Sequence, residues 1–439
     1  MQLEFISNTG CFLEHNGTVI GMDLWFTQGA FEGSWFHFPP LRPTKFSIKD
    51  CQYVYISHIH PDHCDFKALS EAHRDTTFIV PNYFNRLLER KLNAFGFNHV
   101  ISLGPEQKVT LDCGAKITLF GQFVNNLHAE ADFGSMIDSA IMLEWDGRNI
   151  LNCNDNYLDE RSAQTFAARY PEIDLALMPH SASGPYPASF RNLTTDEKAA
   201  EARRLQHQYI AHFAQMTEII KPRLVVPAAA EYAIVGRMYV KNPHIGLASA
   251  RDAVAVINET MTRSGGSTRP IQLDCGTILD VDSGAVSGLP VRNLAASALM
   301  EFASTLKEIP YPYDWEASCT DTSEFDILME KARQNVWHVQ GRLNWKRNYN
   351  VYLSIDEKLG YTFNFSEEGY TRSDGYPQEK IAPFLECFLS RQLLYSILMR
   401  KSHWNNAEGG LHIDFNRQPN EYVPEVFVLL SFLHIPIQS

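Results

Sequence analysis

The stretch SHIHPDHCD, Ser57 to Asp65, follows directly on the apolar, β-prone run Tyr53-Val54-Tyr55-Ile56. Three imidazoles and two carboxylates therefore stand at the end of a strand whose own composition buries it. Burying that many polar groups without a partner costs more than a fold tolerates. His58 and His60 are two residues apart, so at a strand end their side chains leave the pleat on the same side and can grip one ion. Asp62 and His63 follow on the loop, at a second ion or beside the first. The spacing predicts a dinuclear metal site, and it requires a fold that brings further donors to this same strand end.

The rest of the first half reads as an α/β layer pattern. Strands are expected at 17–23, 51–56, 116–120, 139–145, 149–151, 174–178 and 223–227, with helices at 66–73 and 82–95. A long helix is expected over Thr195 to Ile220, with Thr194, Thr195 or Asp196 as N-cap and Pro222 beyond its end. The stretch SGAVSGLPVRNLAAS, 283–297, is rich in small residues, Gly and Pro, and marks a boundary. It separates a catalytic domain, residues 1–285, from a C-terminal α+β accessory domain, residues 296–439. The latter is expected to hold strands at 336–343, 350–355, 360–365 and 410–415, a helix over 377–400 and a final apolar helix. It carries no catalytic motif. Its expected role is to pack on the catalytic domain, supply one wall of the substrate cleft, or form a homo-oligomer contact.

A net charge of −13 gives no basic face for nucleic acid or anionic lipid. A small-molecule substrate is the expected partner. The N-terminus shows no secretory pattern, and the longest apolar stretches are too short or too interrupted to span a bilayer. The eight cysteines form no C-x-x-C pair, as expected for reduced thiols in a cytoplasm.

The H-x-H-x-D-H segment resembles the signature of the metallo-β-lactamase superfamily. That resemblance implies an αββα sandwich with metal at the open edge of its two sheets. Motif by motif, it implies Asp23 ending an early strand, then His58, His60, Asp62 and His63. It further implies a histidine ahead of a strand pair, best matched by His128 over Glu130, and a bridging Asp155 in ILNCND. A fifth histidine would follow RLVVP, where this sequence has Ala228-Ala229-Ala230-Glu231 instead. His180, at the end of the strand DLALM, or Glu231 is expected in its place.

Three further stretches, DLWFTQGAFEGSWFHFPP (23–40), DSAIMLEWDGRNILNCND (138–155) and SASGPYPASF (181–190), resemble the CMP-N-acetylneuraminate and UDP-N-acetylmuramate hydroxylase group over residues 1–285. That group implies two irons, dioxygen as co-substrate, and electrons delivered by a Rieske domain. The paired C-x-H and C-x-x-H segments of a Rieske site do not occur in this sequence. Electrons are therefore expected from a separate donor protein or from the substrate. Asp62, Asp155 and His180 are the expected catalytic groups. Iron is the preferred metal, though zinc or manganese suits the same donors. The expected reaction is oxygenation of an amino-sugar, nucleotide-sugar or natural-product intermediate. The alternative is zinc-dependent hydrolysis of an ester, amide or phosphodiester.

The aromatic run between Trp25 and Phe38 lacks strand or helix periodicity and contains Gly29 and Gly33. It reads as a loop over the site, with Trp25, Phe31 and Trp35 as substrate contacts. Ser181, Ser183 and Tyr186 either orient substrate or cap a turn. Arg191 is a candidate for pairing with a substrate anion.

Overall fold

The computed structural model describes residues 1–83, 86–123, 137–181, 183–316 and 322–436. An eight-stranded sheet runs in the order Val286–Gly288, Thr277–Asp280, Gln2–Ser7, Gly10–His15, Thr18–Met22, Tyr53–Tyr55, Thr77–Pro81 and Val100–Leu103. The last four of these strands are parallel. A seven-stranded sheet follows the order Arg269–Pro270, Leu224–Ala228, Leu175–Pro179, Arg148–Asn152, Ala140–Trp145, Lys116–Phe120 and Lys108–Thr110, its first four parallel.

Residue alternation along these strands explains how the sheets stack. Leu13, Ile20, Tyr55 and Ile79 of the first sheet meet Ile141, Ile150, Leu177 and Val226 of the second in one core. Their neighbours Phe12, Val54, Ile56 and Phe78 point the other way, onto Leu69, Leu88 and Leu92 of the helices Phe66–Leu69 and Leu87–Ala94. Met142, Leu151, Ala176 and Val225 likewise point outward onto Phe166, Phe213 and Ile257 of the helices Glu160–Arg169, Thr195–Ile220 and Ala250–Ser264. The result is the αββα sandwich that the resemblance implies. The helix Thr195–Ile220 begins at Thr194, whose side chain accepts from Glu197 N, and stops at Lys221 ahead of Pro222.

A five-stranded sheet, ordered Thr371–Ser373, Leu359–Asn364, Asn350–Asp356, Phe384–Phe388 and Asp414–Gln418, forms the C-terminal unit. Its core takes one fully buried residue, Phe190, from the first half. The edge strand Asp414–Gln418 is covered by residues 189–191: Arg191 N donates to Phe415 O at 2.6 Å, and Phe415 N to Ser189 O at 2.8 Å.

Two expectations are corrected here. The strand expected at 336–343 is the end of the helix Thr322–Arg342. Phe325, Leu328, Met329, Ala332, Val336 and Val339 recur at helical spacing, and all face the core. The helix expected over 377–400 is a strand, Phe384–Phe388, followed by the helix Arg391–Leu398. FLECF lies between two other strands, so its buried run does not alternate, and Ser390 caps the helix by accepting from Leu393 N. Among the described residues no helix is long and apolar enough to cross a membrane.

Candidate metal centre

The parallel strands of both sheets end at one edge, where ligand sites of α/β folds gather. Thr18–Met22 delivers Asp23, Tyr53–Tyr55 delivers Ser57 and His58, and Arg148–Asn152 delivers Asp155. Asp23 and Asn154 sit at positive φ, 45° and 52°, a conformation that costs free energy and is kept at functional edges.

A chain of hydrogen bonds sets the ring nitrogens. Asp23 Oδ1 accepts from Ser57 N at 2.7 Å, and its Oδ2 from Ser57 Oγ at 2.6 Å and from His63 Nδ1 at 2.8 Å. Ser57 Oγ, having spent its proton on Asp23, accepts from His58 Nδ1 at 3.0 Å. His60 Nε2 donates to Asn405 Oδ1 at 2.6 Å. These partners leave His58 Nε2, His60 Nδ1 and His63 Nε2 as lone pairs.

The lone pairs converge on oxygen and nitrogen atoms that cannot donate to them. His58 Nε2 lies 2.9 Å from His60 Nδ1 and 3.7 Å from Asp138 Oδ1. His63 Nε2 lies 3.1 Å from Asp155 Oδ2 and 3.3 Å from Asp62 Oδ2. Two donors each about 2.1 Å from one ion stand about 3.0–3.4 Å apart at octahedral to tetrahedral angles; the 3.1 and 3.3 Å spacings at His63 fall within that range, and the 2.9 and 3.7 Å spacings at His58 lie on either side of it. Among the described residues, Asp62 Oδ1 and Asp155 Oδ1 are buried without a hydrogen-bond partner, as donors to an ion would be. Donor atoms of His58, His63 and Asp155 all lie within 4.8 Å of one another.

Electrostatics describe the same need for positive charge. Burial pulls His63 toward the neutral form, yet Asp62, Asp155 and Asp23 outweigh it and raise its pKa well above the ordinary value. Burial and the neighbouring His63 lower His58 to about 4, and burial with His58 lowers His60 to about 4. Burial and the proximity of Asp155 push Asp138 up to about 6.

Beside the donors lies a cavity of about 520 Å³. His60, Asp62, Asp138 and Asp155 form its metal end, and Phe31, Trp35, Ser183 and Tyr186 are in its walls, as are Ala229 and Ala230. Trp35 stacks on Tyr232 with ring centroids 3.4 Å apart. The C-terminal unit supplies Asn405, Glu408, Gly409, Arg417, Tyr422 and Phe427 to the same cavity.

Several expected residues are placed elsewhere. His180 is buried with Nδ1 2.7 Å from Ala228 O and Nε2 3.1 Å from Ala248 O, so both nitrogens face carbonyls and neither reaches the donors. Glu231 does not line the cavity; burial and nearby Asp274 push its carboxyl up to about 8. Trp25 is a core residue whose Nε1 donates to Thr27 O and whose ring packs on His37 at 3.8 Å. Arg191 lies outside the cavity, paired through Nε and Nη2 with Asp414 Oδ2. His128 and Glu130 fall outside the described residues.

Asp138 is the carboxylate at the site that sequence reasoning missed. Its signal is register: Ile141 pairs antiparallel with Asn152, which carries Asp138 back to the edge where Asp155 emerges. Asn8, donating to Asp62 Oδ2 at 2.7 Å, and Asn405 have no local signal of this kind.

No family model matches the chain. It is 23% identical over 377 residues to the cytidine monophosphate-N-acetylneuraminic acid hydroxylase of Danio rerio, covering 81% of this chain and 58% of that protein. It is 26% identical over 210 residues to a protein of Mycolicibacterium smegmatis that carries the name Rieske 2Fe-2S iron-sulfur protein, covering 47% of this chain and 39% of that one. The chain therefore spans 39–58% of the length of these relatives. Among solved structures it is similar to the diiron β-hydroxylase CmlA of Streptomyces venezuelae, at 15% identity and a TM-score of 0.41, covering 66% of this chain and 54% of that one. It is also similar to Igni18, a metallo hydrolase of Ignicoccus hospitalis, at 17% identity and a TM-score of 0.40, covering 66% and 99%. Two stacked sheets flanked by helices make the αββα sandwich, and the histidines and carboxylates at its edge could hold a metal ion.

Proposed function

We propose that the chain is a dinuclear metal oxygenase, iron-loaded, that hydroxylates a small polar metabolite of the amino-sugar, nucleotide-sugar or natural-product kind. The observation that carries this reading is the gathering of six histidines and carboxylates beside one cavity. Donor atoms of His58, His63 and Asp155 lie within 4.8 Å of one another, with His60 and Asp138 next to His58 and Asp62 next to His63. Similarity to a hydroxylase along 81% of the chain favours oxygenation over the hydrolysis common in this fold. Bound iron would supply the activation of dioxygen, with electrons from a separate donor protein or from the substrate.

The chain's own residues do the rest. Asp23 and Ser57 hold His63 and His58 in the tautomers that expose Nε2, and Asn405 does the same for Nδ1 of His60. The cavity is the right size for one sugar-like metabolite. Phe31, Trp35 and Tyr186 would pack on its apolar faces and keep water from the reacting carbon, and Ser183 would orient a polar group.

A zinc hydrolase of an ester, amide or phosphodiester is the second reading, because histidine and carboxylate donors suit zinc as well. Turnover separates the two. The iron-loaded protein with a reductant should consume dioxygen in the presence of substrate, and the zinc-loaded protein should be inactive without air. A full rate from zinc-loaded protein under strict anaerobiosis would reject the oxygenase reading and establish the hydrolase.

A further inference from the structure

Arg417, on the edge strand Asp414–Gln418, is 7% exposed and lines the cavity. Its Nε donates to Asn420 Oδ1 at 2.8 Å. Its guanidinium stacks over the rings of Phe190 and Tyr186, with centroid distances of 4.5 and 5.0 Å. Among the described residues no carboxylate forms an ion pair with it, in contrast to Arg191 and Lys241 nearby, which both pair with Asp414. A buried cation is retained where something of opposite charge meets it, since desolvation alone makes it expensive. Aromatic stacking fixes the plane of the fork but leaves its Nη edge free to bind a second group.

We infer that Arg417 is the anchor for an oxyanion, carboxylate or phosphate, carried by the substrate in this cavity. This rests on the reading that the cavity beside the metal donors takes substrate, and it adds the substrate's charge class. The planar fork accepts two oxygens at once, which fixes both position and orientation of the bound molecule. Tyr186 and Phe190 both pack against the fork. Glu408 shares the cavity, but burial pushes its carboxyl up to about 8, so it is neutral near pH 7 and does not repel an incoming anion. The metal end is rich in carboxylates, so the anion is expected at Arg417 and a neutral part of the substrate beside the ions.

The test uses the full chain freed of metal, so that anions cannot bind to ions instead. Calorimetric titration with phenyl phosphate, benzoate and uncharged benzyl alcohol compares wild type with Arg417→Gln. At least one of the two anions should bind wild type about tenfold or more tightly than Arg417→Gln, and which one does so tells phosphate from carboxylate. Benzyl alcohol should not distinguish the proteins. Equal anion affinity in both, or an equal loss for benzyl alcohol, would overturn the proposal and reduce Arg417 to a packing residue. Should Arg417→Gln fail to fold, wild-type protein gives the answer through phenylglyoxal modification mapped by mass spectrometry. Phenyl phosphate or benzoate should slow modification of Arg417, and absence of protection by either would overturn the proposal. Metal content is read separately, on the loaded protein, so failure of the oxygenase reading and failure of the anion site are distinct results.

Discussion

At the scale of single residues, the metal centre is a problem of proton placement. Asp23 touches no expected ion; it receives two protons from Ser57 and one from His63, and so decides which ring nitrogens stay bare. Asp23→Asn should therefore weaken metal binding by about 10–100-fold without removing a ligand, measured by competition with a chromophoric chelator. Unchanged affinity would show that the tautomers are set elsewhere. Loss of most bound metal in His58→Ala would mark a direct ligand; full occupancy there would sink the assignment. His180 gives the opposite expectation. Because its nitrogens face Ala228 O and Ala248 O, His180→Gln should keep the wild-type metal content and lose about 1–3 kcal/mol of stability in chemical denaturation. Loss of one metal equivalent would return His180 to the donor set. The cluster His58 to His63 is legible in the sequence because its members are adjacent there, and the structure brings His58, His63 and Asp155 together. His180 misled because a strand's end gives position without orientation.

At the scale of elements, the short helix Trp404–Gly409 joins the C-terminal unit to the metal site. It is held by Trp35 Nε1 donating to Gly409 O at 3.1 Å, and by His412 Nε2 donating to Phe31 O at 3.0 Å just beyond it. A Cβ on Gly410 would stand 2.5 Å from Phe31 O, which no carbon tolerates. Gly410→Ala should thus lift the helix, cost about 1–3 kcal/mol, and loosen metal at His60 through Asn405. Wild-type stability and metal affinity in this variant would mean the helix tolerates displacement. Elements with a single period were readable from sequence: Lys116–Phe120 and the capped helix Thr195–Ile220 have the expected bounds. Val336 and Val339 were misread because a window starting at 336 hides the heptad-like spacing that begins at Phe325. FLECF was misread because a strand buried on both faces loses its alternation, and a long apolar window then looks helical.

At the scale of the whole molecule, buried acids and buried histidines act on stability in opposite directions. Burial lowers His37 and His180 to about 4 and His412 to about 3, so these must charge on unfolding only below pH 6.5. Glu231 and Glu408 are pushed up to about 8 from 4.5, so folding keeps protons that the unfolded chain releases. Their stabilising contribution is present below 4.5 and is lost as pH rises through 8. Between about pH 6.5 and 8 the histidines are neutral in both states and the acids act unopposed. Denaturation of the metal-loaded protein should show stability falling by on the order of 2–4 kcal/mol over that window, and Glu408→Gln should halve the slope. A flat or rising profile would mean these carboxyls are ionised in the fold. A different kind of consequence follows from the bond between His60 and Asn405, two residues 345 positions apart. On the ribosome, His58, His60, Asp62, His63, Asp138 and Asp155 all emerge well before Asn405 is translated. The growing chain holds these six groups while the group that selects the His60 tautomer does not yet exist. Metal captured during synthesis therefore meets a different centre from metal offered to the finished protein, and fidelity of metallation becomes a matter of timing.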